Sequence, residues 1–227
     1  MLQLYIANKN YSSWSLRPWV LMSELGIDFE EHLERFLPNS SYSAFKKFSP
    51  SGKVPCLVDD DLVIWDSLAI AEYLAEKEPR VWPSDRAARA WARSATAEMH
   101  SGFGTLRDHC GMNCGIRIKL HQLTPALQND LDRLSELWNE GLKRFGGPFL
   151  AGKAFTAVDA FLCPVAFRIH TYGLRLDDAS LQYAARLREL RSMRIWYAAA
   201  LAETFRDETH DEETRKYGIL LEDLRAR

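Results

Sequence analysis

The amino-acid sequence predicts a small α/β domain followed by a larger helical domain. Up to about residue 80, short apolar runs of strand length alternate with amphipathic runs of helix length. From residue 86 onward the periodic segments have the spacing of helices, and we find no convincing strand. Pro79 and Pro83 separate the two patterns, so the predicted domains are 1–80 and 86–227.

In the first domain the predicted order is strand, helix, strand, short helix, hairpin and helix. The segments are, in chain order, a strand at 2–7, a helix at 15–25, a strand at 27–36, a short helix at 41–50, a hairpin at 55–65 and a helix at 67–79. The hairpin turns at the three consecutive aspartates of PCLVDDDLVIW. Gly26 and Pro79 supply the helix stops.

The second domain is predicted from helix caps and apolar stripes. Ser84 or Asp85 caps its first helix, and residues 127–145 carry an apolar stripe at helical spacing. TAVD, residues 156–159, has the pattern of a capping box and predicts the start of a buried helix. The charged segment 207–218 is predicted as a solvated face or loop.

The composition excludes several classes of protein. The 29 Lys and Arg against 31 Asp and Glu give a net charge of −2, so nucleic acid is not an expected partner. The apolar runs are far shorter than a membrane span, and no secretory signal is visible. Cys56, Cys110, Cys114 and Cys163 are too few for a disulfide framework. We therefore expect a soluble cytoplasmic protein with free thiols.

The segment NYSSWSLRPWVL, residues 10–21, places three serines between the first strand and the first helix. Ser15 is predicted to cap the helix, because Pro18 then falls in the first turn, where a missing N–H costs little. Ser12 and Ser13 are left without a structural role at the positive end of this helix. Hydroxyl donors at such a position are suited to hold an anion.

Two further segments carry candidate binding groups. Pro55 opens a strand, and a cis bond before it would leave the N–H and C=O of Val54 free to pair with an extended ligand. Ser67 is the predicted cap of the third helix, whose N–H groups can hold a carboxylate, while Asp66 can hold an ammonium. An anion site beside a cation site suits an α-amino acid end group, and a free backbone edge suits a peptide.

In this order and spacing the segments resemble the cytosolic glutathione transferases. SSWSLRPWVL is similar to the Ser-Ser-Cys-Ser…Arg motif of the zeta class. The family's Val-cis-Pro segment, its acidic–Ser pair and its capping box are matched by GKVPCLVDDD, WDSLAIAEYL and GKAFTAVDAFLCP. The resemblance covers essentially the whole chain. It implies a thioredoxin-like N-terminal domain, an all-helical C-terminal domain and a homodimer.

The resemblance implies an enzyme that activates the glutathione thiolate for addition to a small, mainly apolar electrophile. Ser12 matches the zeta-type serine that donates to the sulfur, and we prefer it slightly. The theta-type spacing back from Arg17 selects Ser13 instead. Tyr11 is a third candidate, because other classes use a tyrosine near this place. Its alternative role is an aromatic anchor at the end of the strand.

The resemblance also assigns the groups that hold the rest of the tripeptide. Val54, which precedes Pro55, would pair with the cysteinyl backbone, and Asp66 and Ser67 would hold the γ-glutamyl end. Lys53 could reach the glycyl carboxylate, although an ordinary exposed lysine is equally consistent with its position. No metal is expected, and glutathione is the only co-substrate implied.

The helical domain offers weaker candidates for the electrophile site. Cys110 and Cys114 lie one helical turn apart, but their spacing matches no standard zinc pattern. The small residue Cys114 either allows close helix contact or leaves room for substrate on a helix lining the cleft. Arg168 faces either the cleft, where it could bind an acidic electrophile, or the surface.

Two departures from the family pattern reduce the number of reactions expected of this chain. Trp14 stands where the zeta pattern has cysteine, and residues 10–21 contain no cysteine, so thiol exchange through an enzyme thiol is not expected. The bulk of Trp14 and Trp19 also argues against the zeta-type isomerisation. That isomerase activity and a non-catalytic ligand carrier or interaction protein are the alternatives to the transferase.

For the homodimer, Trp91 among the arginines of segment 86–103 gives modest independent support.

Overall fold

A computed structural model describes residues 1–38 and 40–226 of the chain. The N-terminal elements are, in chain order, β1 (Leu2–Ala7), α1 (Ser13–Leu25), β2 (Phe29–Glu34), α2 (Tyr42–Phe45), β3 (Cys56–Asp59), β4 (Leu62–Trp65) and α3 (Ser67–Ala75). The four strands form one sheet in the order β2-β1-β3-β4, in which β1 and β2 are parallel and the other pairs antiparallel. This thioredoxin-like arrangement confirms the predicted fold of the first domain.

Helix α1 begins earlier than the sequence predicts. Ser12 is its N-cap, so Pro18 lies inside the helix and the prediction of a cap at Ser15 is wrong. The reason is a tertiary contact, because Ser15 Oγ accepts hydrogen bonds from Ala7 N at 3.1 Å and from Ser12 Oγ at 2.7 Å. These bonds tie the first turn of α1 to the end of β1, and they give Ser12 a structural role that the sequence did not reveal.

The C-terminal part is mainly helical. Its elements are, in chain order, α4 (Arg86–Ser101), α5 (Gly104–His109), β5 (Ile116–Leu120), α6 (Pro125–Phe145), α7 (Ala157–Tyr172), α8 (Asp178–Glu189), α9 (Arg191–Ala202), α10 (Glu208–Lys216) and β6 (Gly218–Asp223). A helical turn at Pro79–Val81 precedes α4, which is capped by Asp85. The predicted helical domain is confirmed. The ranges 1–80 and 86–227 stay predictions, and Asn39 and Arg227 within them lie outside the described residues.

Two details of the second domain differ from the prediction. Strands β5 and β6 pair antiparallel, so the expectation of no strand after residue 86 is wrong. Their pairing joins segments about a hundred residues apart, which leaves no local signal. The segment 207–218 is mostly helix α10 rather than a solvated face or loop. Its N-cap Asp207 and its residues Asp211 and Thr214 are buried.

Helix α7 forms the centre of the helical domain. Every one of its residues except His170 is buried, as expected of a helix that is surrounded by protein. It packs against α1 of the first domain and against α4 and α8 of its own. This helix therefore connects the packing of the two domains.

The capping box predicted at the start of α7 is confirmed, and its acidic member does more than cap. The carboxylate of Asp159 accepts hydrogen bonds from Thr156 N at 3.0 Å, Leu150 N at 3.1 Å and Tyr183 Oη at 2.8 Å. Because Asp159 is fully buried, each of these donors depends on it. The box thus joins α7 to the loop before it and to α8.

Two general properties of the chain follow from the described residues. Within the described ranges, no helix is long and apolar enough to cross a membrane. Cys56, Cys110, Cys114 and Cys163 are all buried and free.

Replacing Asp159 with alanine should lower the free energy of unfolding by about 1–3 kcal/mol, because three buried donors lose their acceptor. Thr156→Ala removes only the cap hydroxyl and should cost about 0.5–2 kcal/mol. Urea unfolding of the two variants and the wild-type protein checks both values. Wild-type stability of the Asp159→Ala variant would contradict this account of α7.

Candidate active site

Two adjoining cavities lie at the loops of the first domain: the larger lies between these loops and helices α5, α7 and α10, and the smaller is bordered by the first domain alone. The larger has a volume of about 620 Å³ and the smaller about 450 Å³, and both are bordered by Trp14, Lys53 and Val54. The predicted residues that border the smaller cavity are Lys53, Val54, Pro55, Asp66 and Ser67. Those that border the larger cavity are Tyr11, Ser12, Ser13, Lys53, Val54 and Arg168. The structure thus brings together all but one of the predicted site residues.

The smaller cavity has a free stretch of backbone on one wall. The Val54–Pro55 peptide bond is cis. Among the described residues, neither the N–H nor the C=O of Val54 has a backbone hydrogen-bond partner. The side chain of Lys53 beside it is exposed. This wall can therefore pair with an extended ligand and place a positive charge near one of its ends.

Asp66 and Ser67 also border the smaller cavity, at the start of α3. Asp66 is the N-cap, with Oδ1 accepting from Leu68 N at 2.8 Å, so the prediction that Ser67 caps this helix is wrong. Asp66 has a φ of 75°, and non-glycine residues with positive φ are enriched at functional sites. Its side chain is 47% exposed, with Oδ2 3.5 Å from His100 Nε2. Ser67 Oγ accepts from Arg17 Nη1 at 3.5 Å.

The two candidate serines differ in how their hydroxyl protons are used. Ser12 is 5% exposed, and its hydroxyl donates to Ser15 Oγ at 2.7 Å. Ser13 is partly exposed to the larger cavity, and its Oγ accepts from Arg168 Nη2 at 3.3 Å. No hydrogen bond donated by Ser13 Oγ is found within residues 1–38 and 40–226. The proton of Ser13 is therefore free for a ligand, whereas that of Ser12 is already bound.

Tyr11 contributes a ring to the larger cavity while the C-terminal segment holds its hydroxyl. The Oη atom accepts hydrogen bonds from Arg225 Nη1 at 3.0 Å and from Asp207 N at 3.3 Å. Burial and the nearby carboxylate of Asp211 raise the pKa of Tyr11. The ring of His210 stacks on it at 5.2 Å between centroids. Because Tyr11 is only 3% exposed and its hydroxyl lies against Arg225 and Asp207, this arrangement matches the anchor role better than that of a donor to a ligand.

Three arginines lie at or near the cavities: Arg107 and Arg168 border the larger one, and Arg17 contacts Trp14 and Ser67, which border the smaller one. Arg17 is 2% exposed and its guanidinium lies 4.1 Å from the Trp14 ring. Burial, Arg107 and Arg168 together lower the pKa of Arg17 to about 9. Burial likewise lowers the pKa of Arg168, to about 10, and that of Arg107. Because these cations destabilise one another, an anion bound between them is stabilised.

Cys114 is the predicted site residue that the structure does not bring to the cleft. It is fully buried, it borders neither cavity, and its Sγ lies 3.6 Å from the Lys9 carbonyl oxygen. Burial raises the pKa of Cys114 and raises that of Cys110 to about 12, so both stay protonated thiols. No group of three or more metal-ligating side chains occurs in the part of the chain that the structure describes.

Sequence reasoning missed several residues that border the larger cavity. They include Phe36, Arg107, Met112 and His210. Arg107 and His210 come from α5 and α10, whose place in the fold depends on long-range packing. The one local signal was the single histidine in the acidic segment 207–218.

Comparison with known proteins agrees with this geometry. Residues 11–77 match the family model for the glutathione S-transferase N-terminal domain. The chain is 32% identical over 167 residues to glutathione S-transferase Z2 of Arabidopsis thaliana, which covers 69% of this chain and 74% of that relative. It is 29% identical over 186 residues to a probable maleylacetoacetate isomerase of Caenorhabditis elegans, covering 77% and 81% of the two chains.

A solved structure shares the fold. A glutathione transferase homologue from Burkholderia GL BGR1, crystallised with bound glutathione, superposes with a TM-score of 0.65 and 24% sequence identity, covering 88% of this chain and 97% of that chain. The identity to the Arabidopsis relative and the share of it that is covered establish the family. This chain belongs to the glutathione S-transferase family.

Proposed function

We propose that the enzyme binds glutathione across the two cavities and activates its thiol as a thiolate for addition to a small electrophile. The observation that carries the proposal is the Ser13 hydroxyl, whose proton is free at the start of α1 and whose oxygen accepts from Arg168, in a cavity that Arg107 also borders. It borders the same space as the groups suited to hold a peptide. A donor and nearby positive charges together are what a thiolate needs.

The tripeptide is proposed to lie along the smaller cavity. The free N–H and C=O of Val54 pair with the cysteinyl backbone, as an added strand would. The exposed carboxylate of Asp66 holds the ammonium of the γ-glutamyl group, while Ser67 and the start of α3 hold its carboxylate. We propose that Lys53, which borders this cavity, meets the glycyl carboxylate. Each end of the ligand thus meets a group of opposite charge.

The chemistry needs a lower thiol pKa rather than a strong base. A free thiol has a pKa of about 8.5, so only a small fraction is ionised at neutral pH. A hydrogen bond donated by Ser13 and the positive end of α1 both favour the anion and lower that pKa. The serine keeps its proton throughout, so it acts as a donor and not as a nucleophile.

We assign the donor role to Ser13 in place of Ser12, the residue that the zeta-type match favours. The hydroxyl of Ser12 already donates to Ser15 Oγ, and Ser12 is almost completely buried. Redirecting its proton to a ligand would break the hydrogen bond from Ser12 to the first turn of α1. Among the residues that the structure describes, Ser13 makes no such internal donation, so its donation to sulfur costs no contact found there.

The far side of the larger cavity is proposed to receive the electrophile. Phe36, Phe45 and Met112 give it apolar surface, which suits a small, mainly apolar molecule. Arg107 and Arg168 could in addition hold an acidic group on that molecule. The relative named as a probable maleylacetoacetate isomerase makes isomerisation the second candidate. Conjugation consumes glutathione, whereas isomerisation regenerates it, so glutathione loss separates the two.

We also propose that two copies pair, as the family resemblance implies. Trp91 gives no support for this dimer, because its side chain is buried against Phe145, with ring centroids 5.5 Å apart. Better support comes from strand β4 at the sheet edge, where Leu62, Val63 and Trp65 are exposed. An exposed apolar edge of this kind is commonly covered by a partner.

Ser13→Ala should raise the apparent pKa of the conjugation rate and cut turnover at neutral pH by about 10²-fold, because the developing anion loses its donor. Ser12→Ala is the matched control and should mainly lower stability, by about 0.5–1.5 kcal/mol. The measurement is the pH profile of aryl halide conjugation, with glutathione loss followed in parallel. A raised apparent pKa in the Ser12→Ala variant alone would assign the donor role to Ser12. Glutathione binding without turnover on any electrophile would favour a ligand carrier.

Asp66→Ala should weaken glutathione binding by about 1–3 kcal/mol, because the ligand ammonium loses its charged partner. Ser67→Ala should weaken binding within the same range. Asp85→Ala is the matched control, since Asp85 is also a helix N-cap, accepting from Ala88 N at 2.8 Å, but lies outside both cavities. Calorimetric titration with glutathione checks the difference. Equal losses of affinity in the Asp66 and Asp85 variants would contradict a direct contact.

A further inference from the structure

A buried cation from the helical domain reaches the first turn of α1. Arg168 lies on α7, is 4% exposed, and donates from Nη2 to Ser13 Oγ at 3.3 Å. Within the described ranges its hydrogen-bond partners are two backbone carbonyls and Ser13 Oγ, and none of them is a carboxylate. A buried charge without a counter-ion costs stability, so a residue of this kind needs another reason to be present.

The guanidinium of Arg168 is held by backbone carbonyls. Its Nη1 atom donates to the carbonyl oxygen of Cys110 and, at 3.4 Å, to that of Arg107, both at the end of α5. These two bonds leave Nη2 directed at Ser13. The arginine is therefore fixed by the fold of the helical domain, and its charge is not neutralised by its partners.

The contact restricts where the Ser13 proton can point. A hydroxyl has one donor and two acceptor sites, while a guanidinium can only donate. Ser13 Oγ must therefore accept from Arg168, and its own proton must leave by another direction. Since no acceptor for that proton exists among the described residues, the direction left to it is toward the larger cavity.

We propose that Arg168 is a positioning residue that occupies the acceptor side of Ser13 and thereby aims the hydroxyl proton at the glutathione sulfur. This inference rests on the proposed function, in which Ser13 is the donor to the thiolate. The adjacent positive charge also polarises the Ser13 O–H bond and makes it a stronger donor. The catalytic serine of one domain is thus oriented by the other domain.

Replacing Arg168 with methionine should raise the apparent pKa of the conjugation rate and lower kcat/KM at neutral pH about tenfold, because the donor is no longer aimed. At alkaline pH the rate should approach that of the wild type, because free thiolate is then abundant. KM for glutathione should change little, since the tripeptide is held by the smaller cavity. A purely structural role would lower the rate equally at every pH.

Further variants separate positioning from other effects. Arg168→Lys keeps the charge, so its pH profile should lie between those of Arg168→Met and the wild type. Arg168→Gln keeps a donor for the carbonyls of α5 but is too short to reach Ser13, so it replaces the methionine variant if that does not fold. Thr156→Ala serves as a control of lowered stability and should leave the pH profile unchanged.

The double variant Ser13→Ala/Arg168→Met decides whether the arginine acts through the serine. Its pH profile should match that of Ser13→Ala, because there is no hydroxyl left to aim. Additive effects would overturn the proposal by showing that Arg168 acts on the substrate directly. A shift in Ser13→Ala without one in Arg168→Met would also overturn it while leaving the proposed function intact. No shift in Ser13→Ala itself would reject the proposed donor and the Arg168 proposal together.

Discussion

The loop between β1 and α1, which borders the larger cavity, is held in place by the helical domain, and the proposed chemistry depends on that attachment. The carboxylate of Glu203 accepts hydrogen bonds from Lys9 N at 2.6 Å and Asn10 N at 3.3 Å. Three residues further along, Ser13 accepts from Arg168. Bonds to charged groups in a buried setting are among the stronger ones in proteins. The first domain supplies the serine, and the second domain sets its position.

The C-terminal segment completes the same wall of the cleft. Arg225 Nη1 donates to Asp211 Oδ1 at 2.7 Å and to Tyr11 Oη at 3.0 Å, while Asn113 Nδ2 also donates to Asp211, at 3.0 Å. A buried ion pair is stabilising only when its remaining hydrogen-bonding groups are satisfied, as they are here by Tyr11 and Asn113. The network places His210 of α10 against the Tyr11 ring. The segment predicted to be solvated thus borders the candidate site.

Local sequence signals predicted the features whose causes are local. Neighbouring residues explain the left-handed cap at Gly26 and the capping box at Asp159. They also explain why Lys53, Val54 and Pro55 border the same cavity. The choice between Ser12 and Ser13 could not follow in this way. It depends on which hydroxyl is reached by an arginine 155 residues away from Ser13, and on a bond that ties Ser12 back to its own helix. Tertiary contacts, which carry no sequence pattern, are the basis on which we propose Ser13 where the motif left the choice open.

The central claim is that this cleft stabilises the thiolate of bound glutathione. The test is the ultraviolet difference absorbance of the thiolate, followed across pH without any electrophile. The wild-type enzyme is kept in excess over glutathione, so that nearly all of the glutathione is bound. We expect the bound thiol to ionise at least about one pH unit below the value of about 8.5 for a free thiol, because a donor and nearby positive charges favour the anion. A bound thiol that ionises at the same pH as the free one would contradict the account.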